Sequence, residues 1–134
     1  MRIPEIVRLL TEHGVELTSQ DTWHRTPLLL ASFSWSLKTV RLLPRHGANV
    51  SVRDGNHKTL LHLALSLRSP ETVRVLTERG ADVNARDGNH KAPLHLALSL
   101  RCPETVRLLI EHGADVNMGD GSYNTPLHIV LMEA

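Results

Sequence analysis

Apolar and polar positions along this chain fall into a block that recurs. In residues 86–118 the block opens with Arg86-Asp87-Gly88-Asn89-His90-Lys91, a run of turn formers without an apolar residue, which predicts an exposed turn or hairpin tip. Ala92-Pro93-Leu94 then opens a helix expected to run to about Leu100, with Pro93 in the first turn, where its missing N–H costs nothing. The stretch Leu94-His95-Leu96-Ala97-Leu98-Ser99-Leu100 alternates with period two, which alone reads as a strand. Its Leu and Ala content and its lack of β-branched residues favour helix instead. Leucines on several faces predict a helix packed on both sides.

A second helix follows with clearer punctuation. In the preceding copy Ser69 can cap it, Pro70 takes the first position, and Glu71 suits the positive helix end. Val73, Val75 and Leu76, like Val106, Leu108, Leu109 and Ile110, are expected to supply the inward stripe, while Glu71, Arg74 and Glu78 are spaced to support one another on the outer face. Gly80 and Gly113 stop the helix with the backbone freedom that a left-handed end requires.

The block repeats with a fixed period. Gly14, Gly47, Gly80 and Gly113 are spaced by 33 residues, and residues 53–85 match residues 86–118 at 26 of 33 positions. A period in this range is the signature of a solenoid, propeller or array.

Turn, helix, helix, glycine and short return, in that order, resemble the ankyrin repeat, which has the same length. The matching text is Thr26-Pro27-Leu28, Ala92-Pro93-Leu94-His95-Leu96-Ala97, Thr125-Pro126-Leu127-His128, Gly80-Ala81-Asp82-Val83-Asn84 and Gly113-Ala114-Asp115-Val116-Asn117. Leu60 stands where the family has proline, Leu29 where it has histidine, and Arg68-Ser69 or Arg101-Cys102 where it has Gly-His between the helices. The resemblance covers nearly the whole chain and implies an all-α ankyrin-repeat solenoid of helix-turn-helix units joined by hairpin-like turns. It implies one domain over residues 1–134: a half repeat at 4–19, full repeats at 20–52, 53–85 and 86–118, and a half repeat at 119–134. Apolar Ile6, Leu9 and Leu10 at one end, with Leu127, Ile129, Val130 and Leu131 at the other, are expected to leave surface at risk, because solenoids need polar caps.

Composition narrows the function classes. A formal charge of +1 gives no global reason to expect nucleic acid or a membrane as partner. No apolar run approaches the roughly 20 residues of a membrane span. The single cysteine, Cys102, excludes an internal disulfide and fits a reducing compartment, so the cytoplasm is the expected location, with the nucleus left open.

Nine histidines invite a metal or acid–base hypothesis, but they form three columns of three: His13, His46 and His112 before the glycine; His24, His57 and His90 in the turn; His62, His95 and His128 in the first helix. Equivalent atoms of neighbouring repeats stand about 8–10 Å apart, too far to share an ion held at about 2 Å per ligand. Scaffold roles are therefore expected, and no metal or cofactor. The chain has no phosphate loop, nucleophile elbow or Cys-x-x-Cys, and Ser69 occupies the place of Cys102 in the twin repeat, so no catalytic residue is assigned.

The resemblance implies a concave partner face of hairpin tips and first helices. Carried over residue by residue, it points to Trp23, Arg25 and Phe33, to Asn56, Lys58, Ser66 and Leu67, and to Asn89, Lys91, Ser99 and Leu100. Arg25, Lys58 and Lys91 form a basic row suited to an acidic partner. Trp23, Phe33 and Trp35 break the period together in one repeat, and Trp and Arg dominate binding hot spots, so Trp23, Arg25, Phe33 and Trp35 form the leading candidate patch. The expected function is thus a non-catalytic protein-protein interaction module. The alternatives are a self-assembling or spacer segment of a longer array, with head-to-tail contact between the half repeats, and an enzyme or small-ligand binder whose pocket draws on several columns.

Overall fold

A computed structural model describes residues 3–14, 20–22, 50–51 and 53–132. Among these, six helices follow in order: α1 (Ile3–Glu12), α2 (Leu60–Ser66), α3 (Pro70–Glu78), α4 (Pro93–Ser99), α5 (Pro103–Glu111) and α6 (Pro126–Met132). Helix α2 pairs with α3 and α4 with α5, while α2 packs on α4, α4 on α6, and α3 on α5. First helices thus form one layer and second helices the other, and the architecture is an all-α solenoid. Among the described residues no helix is long and apolar enough to cross a membrane.

The period-two stretch is helical, as its composition predicts, with Leu100 as the C-cap of α4. Its alternation follows from layered packing: Leu94 and Ala97 are buried, and Leu96 and Leu98 pack on the same core from partly buried positions. Leu60, which replaces the proline of the first turn, is 1% exposed and fills core space instead. Val73, Leu76, Leu108 and Leu109 are buried as the apolar stripe predicts. Ile110 is not: it is 46% exposed, whereas its counterpart Thr77 is buried. Ile129, expected to be at risk, is buried.

The helix ends carry the local signals. Ser69 Oγ accepts the Thr72 N–H at 3.3 Å and pairs with Thr72 Oγ1 at 2.7 Å, so α3 is capped. Cys102, at the same place before α5, makes no side-chain cap bond, and its thiol lies 3.6 Å from the Leu100 carbonyl. Gly80 and Gly113 take φ of 85° and 92°, the left-handed ends that their position predicts. Between the helices, Arg68 and Arg101 both adopt φ of 55°. The turn geometry is therefore kept although arginine stands where the resemblance expects glycine. On the outer face Arg74 reaches Glu104 of the next second helix at 3.9 Å.

Candidate functional site

Each hairpin tip among residues 53–132 is built around one aspartate. Asp54 Oδ1 accepts the N–H groups of Asn56 at 2.8 Å and Lys58 at 3.0 Å, and Asp87 repeats this with Asn89 and Lys91. Asp120 does the same for Ser122 and Asn124. Burial raises the Asp120 pKa, but those two N–H groups and the charges of His95 and Lys91 outweigh it and hold the carboxyl below its ordinary value. His57, His90 and Tyr123 close the tips at φ of 60–62°, a left-handed conformation.

Neighbouring tips are joined backbone to backbone. The Gly88 N–H donates to the Asn56 carbonyl at 2.9 Å, and a Cβ on Gly88 would stand 3.0 Å from that oxygen, so only glycine permits the approach without displacement. Arg53 Nη1 donates to the Arg86 carbonyl across the same junction. At the opposite end of the repeat, Asn84 donates to the Gly113 carbonyl at 3.1 Å and accepts the Asp115 N–H at 2.7 Å.

The histidines tie these parts together. His62 Nδ1 lies 3.2 Å from the Thr59 N–H that it accepts and 2.9 Å from the Thr59 hydroxyl. Its proton therefore sits on Nε2, which donates to the Lys91 carbonyl of the next tip at 2.8 Å. His95 repeats the first of these bonds with the Ala92 N–H, whereas its Nε2 donates to the carbonyl of Met118, the last residue of its own repeat, at 2.7 Å. Burial holds the His62 imidazole below its ordinary value; the Lys91 carbonyl and Asp87 oppose this, and the Arg53 and Lys58 charges add to it. His13 and His112 donate from Nδ1 to the carbonyls of Leu9 and Leu108 one turn earlier. Among the described residues no buried side-chain nitrogen or oxygen lacks a partner, and no three His, Cys, Asp or Glu are grouped to hold a metal.

With the tip backbones committed to the scaffold, their side chains form the surface. Asn56, Ser66, Asn89, Lys91 and Ser99 are exposed, and Lys58, Leu67 and Leu100 are partly buried. Arg68 Nη1 lies 3.5 Å from the Leu100 carbonyl, which brings the ends of α2 and α4 together. Trp23, Arg25, Phe33 and Trp35, with the departure at Leu29, lie outside the described residues.

One feature was not anticipated. A groove of about 810 Å³, mostly apolar, runs along α5 and α6 and is lined by Leu98, Cys102, Val106, Arg107, Ile110 and Val130, among others. No histidine lines it, and neither do the eight described candidates of the partner face. The signal for it in the sequence was the apolar content of Ile110 and Val130.

Comparison with known families agrees with the geometry. A family model described as ankyrin repeats in three copies matches residues 2–87, and one described as ankyrin repeats in many copies matches residues 94–134. No match was found among curated proteins. Paired helices stacked in two layers, left-handed glycine ends and a histidine that ties its unit to the next tip accompany those matches, and the chain belongs to the ankyrin repeat family.

Proposed function

We propose that the chain is a non-catalytic protein-binding module that presents a concave face of hairpin tips and first helices to a partner bearing acidic groups. Ankyrin repeats are generally protein-protein interaction modules, and the tip construction supports this use. The carrying observation is the division of labour within each tip: the backbones of residues 54–58 and 87–91 are held by Asp54 and Asp87, while the Asn56, Asn89 and Lys91 side chains remain exposed. A rigid backbone with exposed side chains loses little conformational entropy on binding. Lys58 and Lys91, one repeat apart, give the face its basic character, and Trp23, Arg25, Phe33 and Trp35 supply the proposed anchors on the N-terminal side.

The test is affinity capture from cell extract, comparing the native chain with Trp23→Ala and with Lys58→Glu combined with Lys91→Glu. Each variant should lose captured protein by at least tenfold while keeping its helical circular dichroism. Undiminished capture by both would remove these residues from the face.

A second reading, self-association through α1 and α6, is favoured by a separate observation. Leu127, Val130, Leu131 and Met132 of α6 and Ile6, Leu9 and Leu10 of α1 are all exposed. Apolar clusters of this kind mark interaction sites.

A further inference from the structure

The groove along α5 and α6 is shaped by the repeat itself. Helix α4 is covered by its second helix α5, and Leu94 is 2% exposed; at the equivalent place on α6, Leu127 is 65% exposed. On the second-helix layer, Thr77 of α3 is buried where α5 packs, and its counterpart Ile110 lines the groove. The surface that α5 and α6 present is therefore the surface onto which a second helix of this array packs.

The chain carries such a helix in α1. Residues 4–14 match residues 103–113 at nine of eleven positions, so α1 has the sequence of a second helix. Its Ile6, Leu9 and Leu10 are exposed, whereas the matching Thr105, Leu108 and Leu109 of α5 are buried. Charge supplies the register. Arg74 of α3 reaches Glu104 of α5; one repeat further on, Arg107 lines the groove, and the residue of α1 in the Glu104 column is Glu5.

We propose that this groove is the seat of helix α1 from a second copy of the chain, with Glu5 of the incoming helix beside Arg107 and Leu9 beside Ile110. The inference rests on the self-association reading and specifies its contact. The interface is heterologous, since α1 and the groove are different surfaces, so copies add head to tail and build rings or open chains, not two-fold dimers.

Sedimentation velocity of the full 134-residue chain over a dilution series from micromolar to submillimolar tests this. The mass should rise with concentration, and Leu9→Asp or Ile110→Asp should each weaken association by about tenfold or more, a polar group now being buried at the contact. Both positions are exposed, so circular dichroism should show an intact fold. Glu5→Arg and Arg107→Glu should each weaken association by about threefold, since the ion pair is exposed. An equimolar mixture of those two variants should recover it, because only the mixed contact pairs opposite charges. A monomer at every concentration would overturn both the self-association reading and this one. Association that ignores all four substitutions and the mixture would leave self-association standing and overturn the assignment of α1 to the groove.

Discussion

The two near-identical repeats offer an internal control on helix capping. Ser69 caps α3 through the Thr72 N–H, and Cys102 leaves α5 without a side-chain cap although Pro-Glu-Thr-Val-Arg follows both residues. Replacing an uncapped N-cap by serine is worth about 1 kcal/mol. Against it stands the partly buried thiol, whose lost apolar contact costs roughly 0.3 kcal/mol, so Cys102→Ser should gain about 0.5–1 kcal/mol. For a chain of this size that is a rise of about 3 °C in Tm. The converse, Ser69→Cys, gives up both the Thr72 N–H bond and the 2.7 Å contact with the Thr72 hydroxyl, and should cost about 1–1.5 kcal/mol. Urea unfolding followed by circular dichroism measures both, at low protein concentration so that contact between copies does not enter. The double exchange should return close to the native value, because the two caps lie in different repeats and share no partner. If Cys102→Ser left the midpoint unchanged while Ser69→Cys lowered it, the cap would not be the source of the difference, and the reasoning would fail.

Two further outcomes follow from backbone and protonation. Arg68→Gly and Arg101→Gly should each stabilise the chain by about 0.5 kcal/mol in the same urea assay: a non-glycine residue at positive φ costs about 1–2 kcal/mol, and the greater unfolded-state entropy of glycine takes back about 0.5–1 kcal/mol. A loss at both positions would refute the strain assignment. The depressed pKa of His62 means that its neutral form belongs to the folded state, so its contribution is complete above the unfolded value of about 6.5 and is lost as pH falls below that toward the folded value. The urea midpoint should therefore fall between about pH 7.5 and pH 5.5, and His62→Gln should flatten that dependence. An equal slope in the variant would place the acid sensitivity elsewhere; Asp120, with its lowered carboxyl pKa, contributes only in the lower, carboxylate range.

Most of the fold was legible because its signals are local. Pro93, Ser69, Gly80 and Gly113 mark helix boundaries through backbone chemistry that depends on few neighbours, and the structure places each of them as expected. Ile110 was misread for the opposite reason. An apolar stripe identifies an inward face only where another element stands against it, and Thr77 meets that condition while Ile110 lines a groove. The arginines at positive φ show the same limit from another side: the sequence flagged an unusual turn, but the shape of that turn is set by the two helices it joins. The histidine columns were legible as scaffold because their spacing forbids a shared ion, but the Lys91 carbonyl that His62 reaches lies in the following repeat and emerges only when units are stacked.

The departures from the repeat also divide the molecule by direction. Contacts along the array are made by backbone and by scaffold side chains: Gly88 to Asn56, His62 to Lys91, Asn84 to residues 113 and 115, Arg74 to Glu104. The residue types that make them recur at the same columns in residues 53–85 and 86–118, so they specify stacking without distinguishing one copy from another. Stability in such a chain is approximately a sum of repeat and nearest-neighbour terms, which makes a face without a packed neighbour the place where an unsatisfied neighbour term is largest. The groove on α5 and α6 is that place, and the eight described residues of the proposed concave face lie outside it. Occupying one surface therefore does not require vacating the other.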